Sequence, residues 1–189
     1  QAESLDIPLQ KLYLPEMPSM DDYNTLMRST MLDYVEQGVE TAIFGDIFLE
    51  DLKEYRVKQL QKVSMQAEFP IWKKSTPQLV NDFIAQGFKA IIVCVDERHL
   101  DQSFAGRIID QSFVNDLPEG VDPCGENGEF HSFVFDGPIF HKPIPFTKGE
   151  LTYRTYAPPK KEKSNEDTYH GSQQESKTGF WYCDIIPTL

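Results

Sequence analysis

The sequence predicts an α/β fold, a parallel sheet followed by an α+β portion, and three observations carry that reading. Strand-like apolar runs at 41–44 and 90–95 alternate with stretches whose apolar residues recur at helical spacing, the order of a parallel sheet layered with helices. The run at 90–95, AIIVCV, is continuous rather than alternating, as in a strand buried on both faces. Beyond Gly120 the helical periods give way to turns, aromatics and strand-length segments. The boundary is placed near 115, giving a first portion over 1–115 and a second over 116–189.

Taken in order, residues 1–5 read as the last turn of a helix already under way, and 9–14 (LQKLYL) as a strand ending at Pro15. Ser19 with Asp22 three residues on reads as a capping box. Tyr23, Leu26, Met27, Met31, Tyr34 and Val35 then form a helical stripe that Gly38 stops. A strand at 41–44 is followed by a helix over about 48–65, and 68–72 (EFPIW) is a rigid link. Thr76-Pro77 opens a helix that Gly87 ends, and 100–113 reads as another helix. Residues 157–178 are Pro, Lys, Glu, Ser and Gln without periodicity, the composition of a flexible loop. The segment 180–186 closes the chain as a strand paired with 150–156.

The net charge of −12 argues against a nucleic-acid surface, which needs clustered Lys and Arg. No apolar run reaches membrane-spanning length, and no signal-peptide pattern opens the chain. Cys94, Cys124 and Cys183 form no CxxC pair, which suits reduced thiols and a cytoplasmic location.

Chemistry concentrates in 120–140, GVDPCGENGEFHSFVFDGPIF. Asn127-Gly128 is the strongest short signal for a two-residue hairpin, because both turn residues must accept positive φ. Such a turn would set Glu126 and Glu129 opposite each other across a ladder, where like charges repel. The pair therefore reads as arranged for a ligand, a cation or a shared proton, against the plainer reading of a hairpin with a solvated acidic tip. Period two puts Glu129, His131, Phe133 and Phe135 on one face and Phe130, Ser132 and Val134 on the other. Asp122, Cys124, Glu126, Glu129 and His131 also read as metal donors, but their spacing matches no usual zinc pattern, and no metal is expected. Cys124 is a nucleophile only with a base beside it. Earlier in the chain, Phe44-Gly45-Asp46 ends a strand, where open parallel sheets bind ligands. There Gly45 would let a ligand approach the backbone, and Asp46 would cap the next helix or hold Mg²⁺. A simple turn is the alternative.

The stretch 120–140 resembles the signature of the diphthine–ammonia ligase family, adenine-nucleotide α-hydrolases of the PP-loop ATP pyrophosphatase group. That signature is close to GE-x-GE-FHT-x(3)-DGP-x-F. It is matched at Gly125, Glu126, Gly128, Glu129, Phe130, His131, Asp136, Gly137, Pro138 and Phe140. Ser132 stands where Thr is usual and keeps the hydroxyl. Gly45-Asp46-Ile47, Arg56 and the 69–72 FPIW segment are similar to the family as well. The resemblance implies a Rossmann-like, HUP-type sheet, ATP with Mg²⁺, adenylation of a carboxylate and its capture by ammonia as an amide. It implies catalytic roles for Glu126, Glu129 and His131, substrate contacts from Gly125, Gly128, Phe130 and Ser132, and nucleotide contacts from Phe44, Gly45 and Asp46. The implied partners are ammonia and a carboxylate on a small molecule or a modified residue, with an elongation factor as a protein substrate. A cationic substrate group such as the trimethylammonium of diphthine would relieve the Glu126/Glu129 repulsion. No nucleic acid or membrane is implied, and a homodimer is left open.

The family's phosphate loop, SGGKDS after a first strand, has no counterpart in these residues, and Gln1 is not a natural initiator. The expectation is a fragment that begins one βαβ unit late and is inactive alone. Two other readings stand beside it: a non-catalytic nucleotide or small-cation binding module, and a metal-dependent hydrolase.

Overall fold

The computed structural model describes residues 1–156 and 178–188. The flexible loop expected near 157–178 lies, apart from residue 178, outside the described residues. The chain divides into two compact units, 8–75 and 1–7 with 76–189. The boundary expected near 115 thus falls inside the second unit, whose sheet recruits the helix and strand that precede it.

In the unit 8–75, helix α1 (Met20–Glu36) starts on the expected capping box. The Ser19 hydroxyl accepts from Asp22 N at 3.1 Å, and the Asp22 carboxylate accepts from Ser19 N at 2.9 Å. Gly38, at φ +85°, turns the chain out of the helix. Strand β1 (Thr41–Ile43) leads through a turn to helix α2 (Glu50–Gln61) and strand β2 (Gln66–Glu68). β1 and β2 pair in parallel, Ala42 opposite Ala67, so β1, α2 and β2 form a βαβ unit in which β2, and not the later run at 90–95, is the parallel partner of β1. Leu60, Val63 and Met65 form its core, with Met31, Val35, Ala42, Phe44 and Ala67 packed on them.

Two local expectations fail here. No strand is expected at 66–68, between the helix and the 68–72 link, because three residues are too short to show a period. Residues 9–14 form no strand: Leu9 and Tyr13 are exposed, and a segment without a ladder partner leaves its backbone to water.

The unit 1–7 with 76–189 is built on an antiparallel sheet of order β4-β3-β6-β5: β3 (Lys89–Asp96), β4 (Phe130–Asp136), β5 (Phe146–Tyr156) and β6 (Thr178–Pro187). Helix α3 (Thr76–Ala85) precedes β3, and the short α4 (Gln111–Asp116) follows it. β3 is antiparallel to both neighbours, which corrects its reading as a parallel strand. An apolar run reports burial on both faces, not direction. One face packs Ala90, Ile92 and Val95 against Val80, Leu100, Phe104, Phe113, Phe130 and Cys183, while Ile91, fully buried, faces the other side opposite Phe133.

The helix expected over 100–113 is broken. A 3-10 turn at Gln102–Phe104, capped by the Asp101 carboxylate, ends at Gly106. Residues 106–109 then run alongside β3: Gly106 N donates to Ile92 O and Ile92 N to Arg107 O, both at 2.8 Å. Asp110 caps α4 by accepting from Phe113 N at 2.8 Å. Gly106 sits at φ +81°, a backbone that only glycine adopts without strain and that lets the chain turn back along the strand.

Candidate functional site

β3 and β4 position the loop that carries the motif. β3 ends at the buried Asp96, whose carboxylate accepts from Arg98 N and Nε, each at 2.9 Å. Burial raises the Asp96 pKa, but the Arg98 bonds outweigh it, and the carboxyl lies below its ordinary value. Asp96 N donates to Glu129 O at 2.9 Å and so fixes the base of the loop at the start of β4.

The loop 122–129 is closed by a carboxylate at each end. Glu129 is 1% exposed. Its Oε1 accepts from Asp122 N and Asn127 Nδ2, both at 3.0 Å, and its Oε2 from Asn127 N at 2.9 Å. Burial pushes its pKa up, yet these N–H donors more than offset it and hold the carboxyl below its ordinary value. Asp122 Oδ2 accepts from the Thr76 hydroxyl at 2.6 Å, and its Oδ1 from Cys124 N at 2.8 Å and Glu126 N at 3.4 Å. Thr76, expected only to open α3, thereby ties that helix to the loop.

Gly125 sits at φ +72°, where a Cβ would lie 2.9 Å from Phe130 O and 3.1 Å from the Phe130 ring. The loop therefore packs on its own strand at a position only glycine fills. Gly128, at φ +87°, takes the positive φ that the Asn-Gly pair predicts.

This geometry corrects the hairpin reading. β4 pairs with β3 across a long connection, not with the residues before Asn127, so Glu126 and Glu129 do not oppose each other across a ladder. Glu129 is turned inward to organise the loop, while Glu126 is half-buried at the turn. Phe130 is buried with its ring edge-on to Phe113 at 5.5 Å, and it supports the loop from below. The period-two assignment holds for Phe130 and Val134, which face the helix-covered core, and for His131, which faces the other way beside its cross-strand partner Cys94. It fails for Glu129, whose carboxylate turns inward to the loop instead of standing beside His131.

The other donors do not converge with His131. Among the described residues no group of three or more His, Cys, Asp or Glu is arranged to hold a metal ion. Cys124 Sγ lies 3.4 Å from Thr76 O, and burial, then the nearby Asp122 and Glu126 charges, push its thiol up to about 12. That thiol stays protonated at neutral pH and is no ready nucleophile.

His131 opens into a hollow of about 1310 Å³ on the uncovered half of that sheet face, shared with Cys94, Thr152, Arg154, Phe180 and Tyr182. Ladder register aligns His131, Cys94, Tyr182 and Thr152 in one row across all four strands. Sequence reading missed Cys94, Arg154 and Tyr182, since alternation alone does not tell which strands lie side by side. Burial raises the Cys94 thiol, and the Tyr156 hydroxyl, 3.3 Å away, together with burial raises Tyr182.

The unit 8–75 holds a separate apolar cavity of about 280 Å³ between α1, β1 and α2, lined by Met27, Met31, Phe44, Tyr55 and Arg56 among others. The Arg56 guanidinium lies 4.5 Å over the Phe44 ring, and its Nε stands 2.8 Å from Asp46 Oδ2. The cavity's lining is largely apolar, and the Phe44 ring is also stacked on Phe69, with centroids 5.4 Å apart. Asp46, engaged by Arg56, neither caps α2 nor fits a Mg²⁺ ligand, and a Cβ on Gly45 would meet only open space. Among the described residues no helix is long and apolar enough to cross a membrane.

Comparison with known proteins matches residues 75–160 to the diphthamide synthase C-terminal domain. The chain is 30% identical over 118 residues to diphthine–ammonia ligase of Danio rerio, covering 58% of this chain and 45% of that protein. It is 28% identical over 137 residues to that of Bos taurus, covering 69% and 51%. Against that of Schizosaccharomyces pombe it is 24% identical over 168 residues, covering 79% and 27%. The chain thus spans about half the length of the two vertebrate relatives. The matched 75–160 contain α3, the buried-carboxylate loop and the strand that presents His131, and over this stretch the chain is similar to the diphthamide synthase C-terminal domain and to the diphthine–ammonia ligases.

Proposed function

We propose that the chain supplies the acceptor side of an ATP-dependent ligase that turns a carboxylate into an amide with ammonia. The observation that carries this reading is the loop 122–129. It lies inside the matched domain, is held rigid by two carboxylates, and delivers the one imidazole of the motif to an open sheet face. ATP, when bound, would supply the adenylyl group that activates the carboxylate, with pyrophosphate as the leaving group. The C–N bond then forms as ammonia attacks and the C–O bond to AMP breaks.

In this scheme His131 takes, at an imidazole nitrogen, the proton that ammonium must lose before it can attack. Glu126, at the turn, draws ammonium towards the site. Glu129 acts as a positioning residue through the loop, with Gly125 and Gly128 giving the backbone its shape and Phe130 its support. Ser132 contributes a hydroxyl at the strand end. Phe44 and its cavity receive the adenine ring, with Gly45 and Asp46 at its border, and no step is assigned to Mg²⁺. By the names of the relatives, the acceptor is diphthine, and the resemblance implies that an elongation factor carries it.

The test is an assay of the parent protein with ATP, ammonium and the diphthine-bearing factor, following AMP release and amide formation. His131→Ala should lower amide formation by about 10²–10⁴-fold, the span of a lost general base. A folded His131→Ala protein that still forms amide at the parent rate would overturn the assignment. The Asp46–Arg56 pair favours a second reading, a nucleotide-binding module without adenylation. ATP binding with no AMP produced under any acceptor would select it.

A further inference from the structure

The hollow that His131 faces holds a cation with no anionic partner among the described residues. Arg154, on β5, makes no ion pair among the described residues, and its guanidinium lies 5.6 Å over the Tyr182 ring. A guanidinium stacked on a ring keeps its N–H fork free at the edge, where it matches the two oxygens of a carboxylate. Tyr182 is itself fixed by Tyr156, whose hydroxyl lies 3.3 Å from its own, and Phe180 packs on both, at 5.7 Å from Tyr156 and 6.5 Å from Tyr182. The three rings thus form an aromatic floor beneath the guanidinium. Lys148, the hollow's other long cation, donates to Gly106 O at 3.3 Å and is already engaged. Glu150 and Asp184 line the same hollow. Both lie, with Lys148, on the far side of the Thr152–Tyr182 row from Arg154, so Arg154 stands at the opposite end of the hollow from its carboxylates.

We infer that Arg154, stacked on Tyr182, is the carboxylate-binding residue of this hollow and selects acceptors that carry a carboxylate. The inference rests on the acceptor-side reading above and names the group that recognises the acceptor. The row His131, Cys94, Tyr182, Thr152 then forms a continuous floor from the bound carboxylate to the imidazole.

The experiment needs neither ATP nor turnover. Sodium acetate is titrated into the chain at constant ionic strength, with sodium chloride as the control, while NMR follows the Arg154 Nε–H, the Tyr182 ring and His131. The expected result is a saturable shift centred on Arg154 and Tyr182, weakened roughly tenfold or more in Arg154→Gln, the worth of a charge-assisted bidentate contact. Arg154 is exposed, so the variant should keep the parent spectrum elsewhere. The inference is overturned if chloride reproduces the shift or if it persists in Arg154→Gln. A saturable shift of the same rings by tetramethylammonium chloride, with none by acetate, would also overturn it, by making the floor a cation site. Acetate binding that survives alongside an unimpaired His131→Ala enzyme would leave this inference standing and remove the ligase reading alone.

Discussion

Glu129→Gln is the most informative single change in the loop. It keeps the side chain's size and removes one of two acceptor oxygens. The amide oxygen can replace Oε1 and still receive Asp122 N and Asn127 Nδ2, each at 3.0 Å in the parent. The amide nitrogen must then take the place of Oε2 and point donors at Asn127 N, which was bonded at 2.9 Å. One charge-assisted hydrogen bond is lost and one buried N–H is left unmet, a cost of about 1.5–3 kcal/mol. The pH dependence follows in sign. Glu129 is held below its ordinary value in the folded chain, so its contribution is complete above the unfolded pKa of about 4.3. That contribution is lost as pH falls through the lower, folded value. Urea unfolding of parent and variant between pH 3 and 7, with amide exchange at Asp122 and Asn127, reads both effects. The variant should be weaker at pH 7, lose part of the acid slope and exchange the Asn127 amide faster, with Asp122 less affected. A variant within 0.5 kcal/mol of the parent, with the same acid limb and the same exchange, would show that the carboxylate does not organise the loop.

Three further outcomes follow from the packing. Gly125→Ala should cost at least about 1–2 kcal/mol, because a side chain at φ +72° is strained and its Cβ would press on Phe130 O; thermal unfolding measures it. Phe113→Ala should cost about 3–5 kcal/mol, since this fully buried ring packs edge-on to both Phe104 and Phe130; chemical denaturation checks it. Cys94, Cys124 and Cys183 all have raised thiol pKa values, driven first by burial, so the native chain should react slowly with iodoacetamide at pH 8 and quickly once unfolded. Rapid labelling of Cys124 in the folded chain would contradict its burial.

Much of the fold was legible because its signals are local. The Ser19–Asp22 box, the Gly38 stop and the β1–α2 unit are each decided within a few residues, and each stands where the spacing places it. What stayed illegible depends on partners distant in sequence. The run at 90–95 showed that β3 is covered on both faces, but its direction is set by β4 and β6, about 40 and 85 positions later. The break at Gly106 had a weak signal, a glycine inside an apparent helical period. Its cause, pairing of 106–109 with β3, lies in the sheet.

The motif shows the same division in its chemistry. Its sequence groups Glu126, Glu129 and His131 within six positions, and a local turn rule makes the two carboxylates face each other. The sheet instead splits the motif at Phe130, with Glu129 and Phe130 turned into the core and loop and His131 turned out to the hollow. The two ends should therefore fail differently. A change at Glu129 acts through the loop, and it should lower stability and shift the acid limb along with any loss of activity. A change at His131 removes a side chain that is exposed, so it should leave stability within about 0.5 kcal/mol, as for surface positions. If both variants instead lose activity with unchanged stability, then Glu129 touches the reaction and the inward carboxylate is no positioning group. If both lose stability, His131 has a structural partner, and the proton-acceptor role must move to another residue of the hollow.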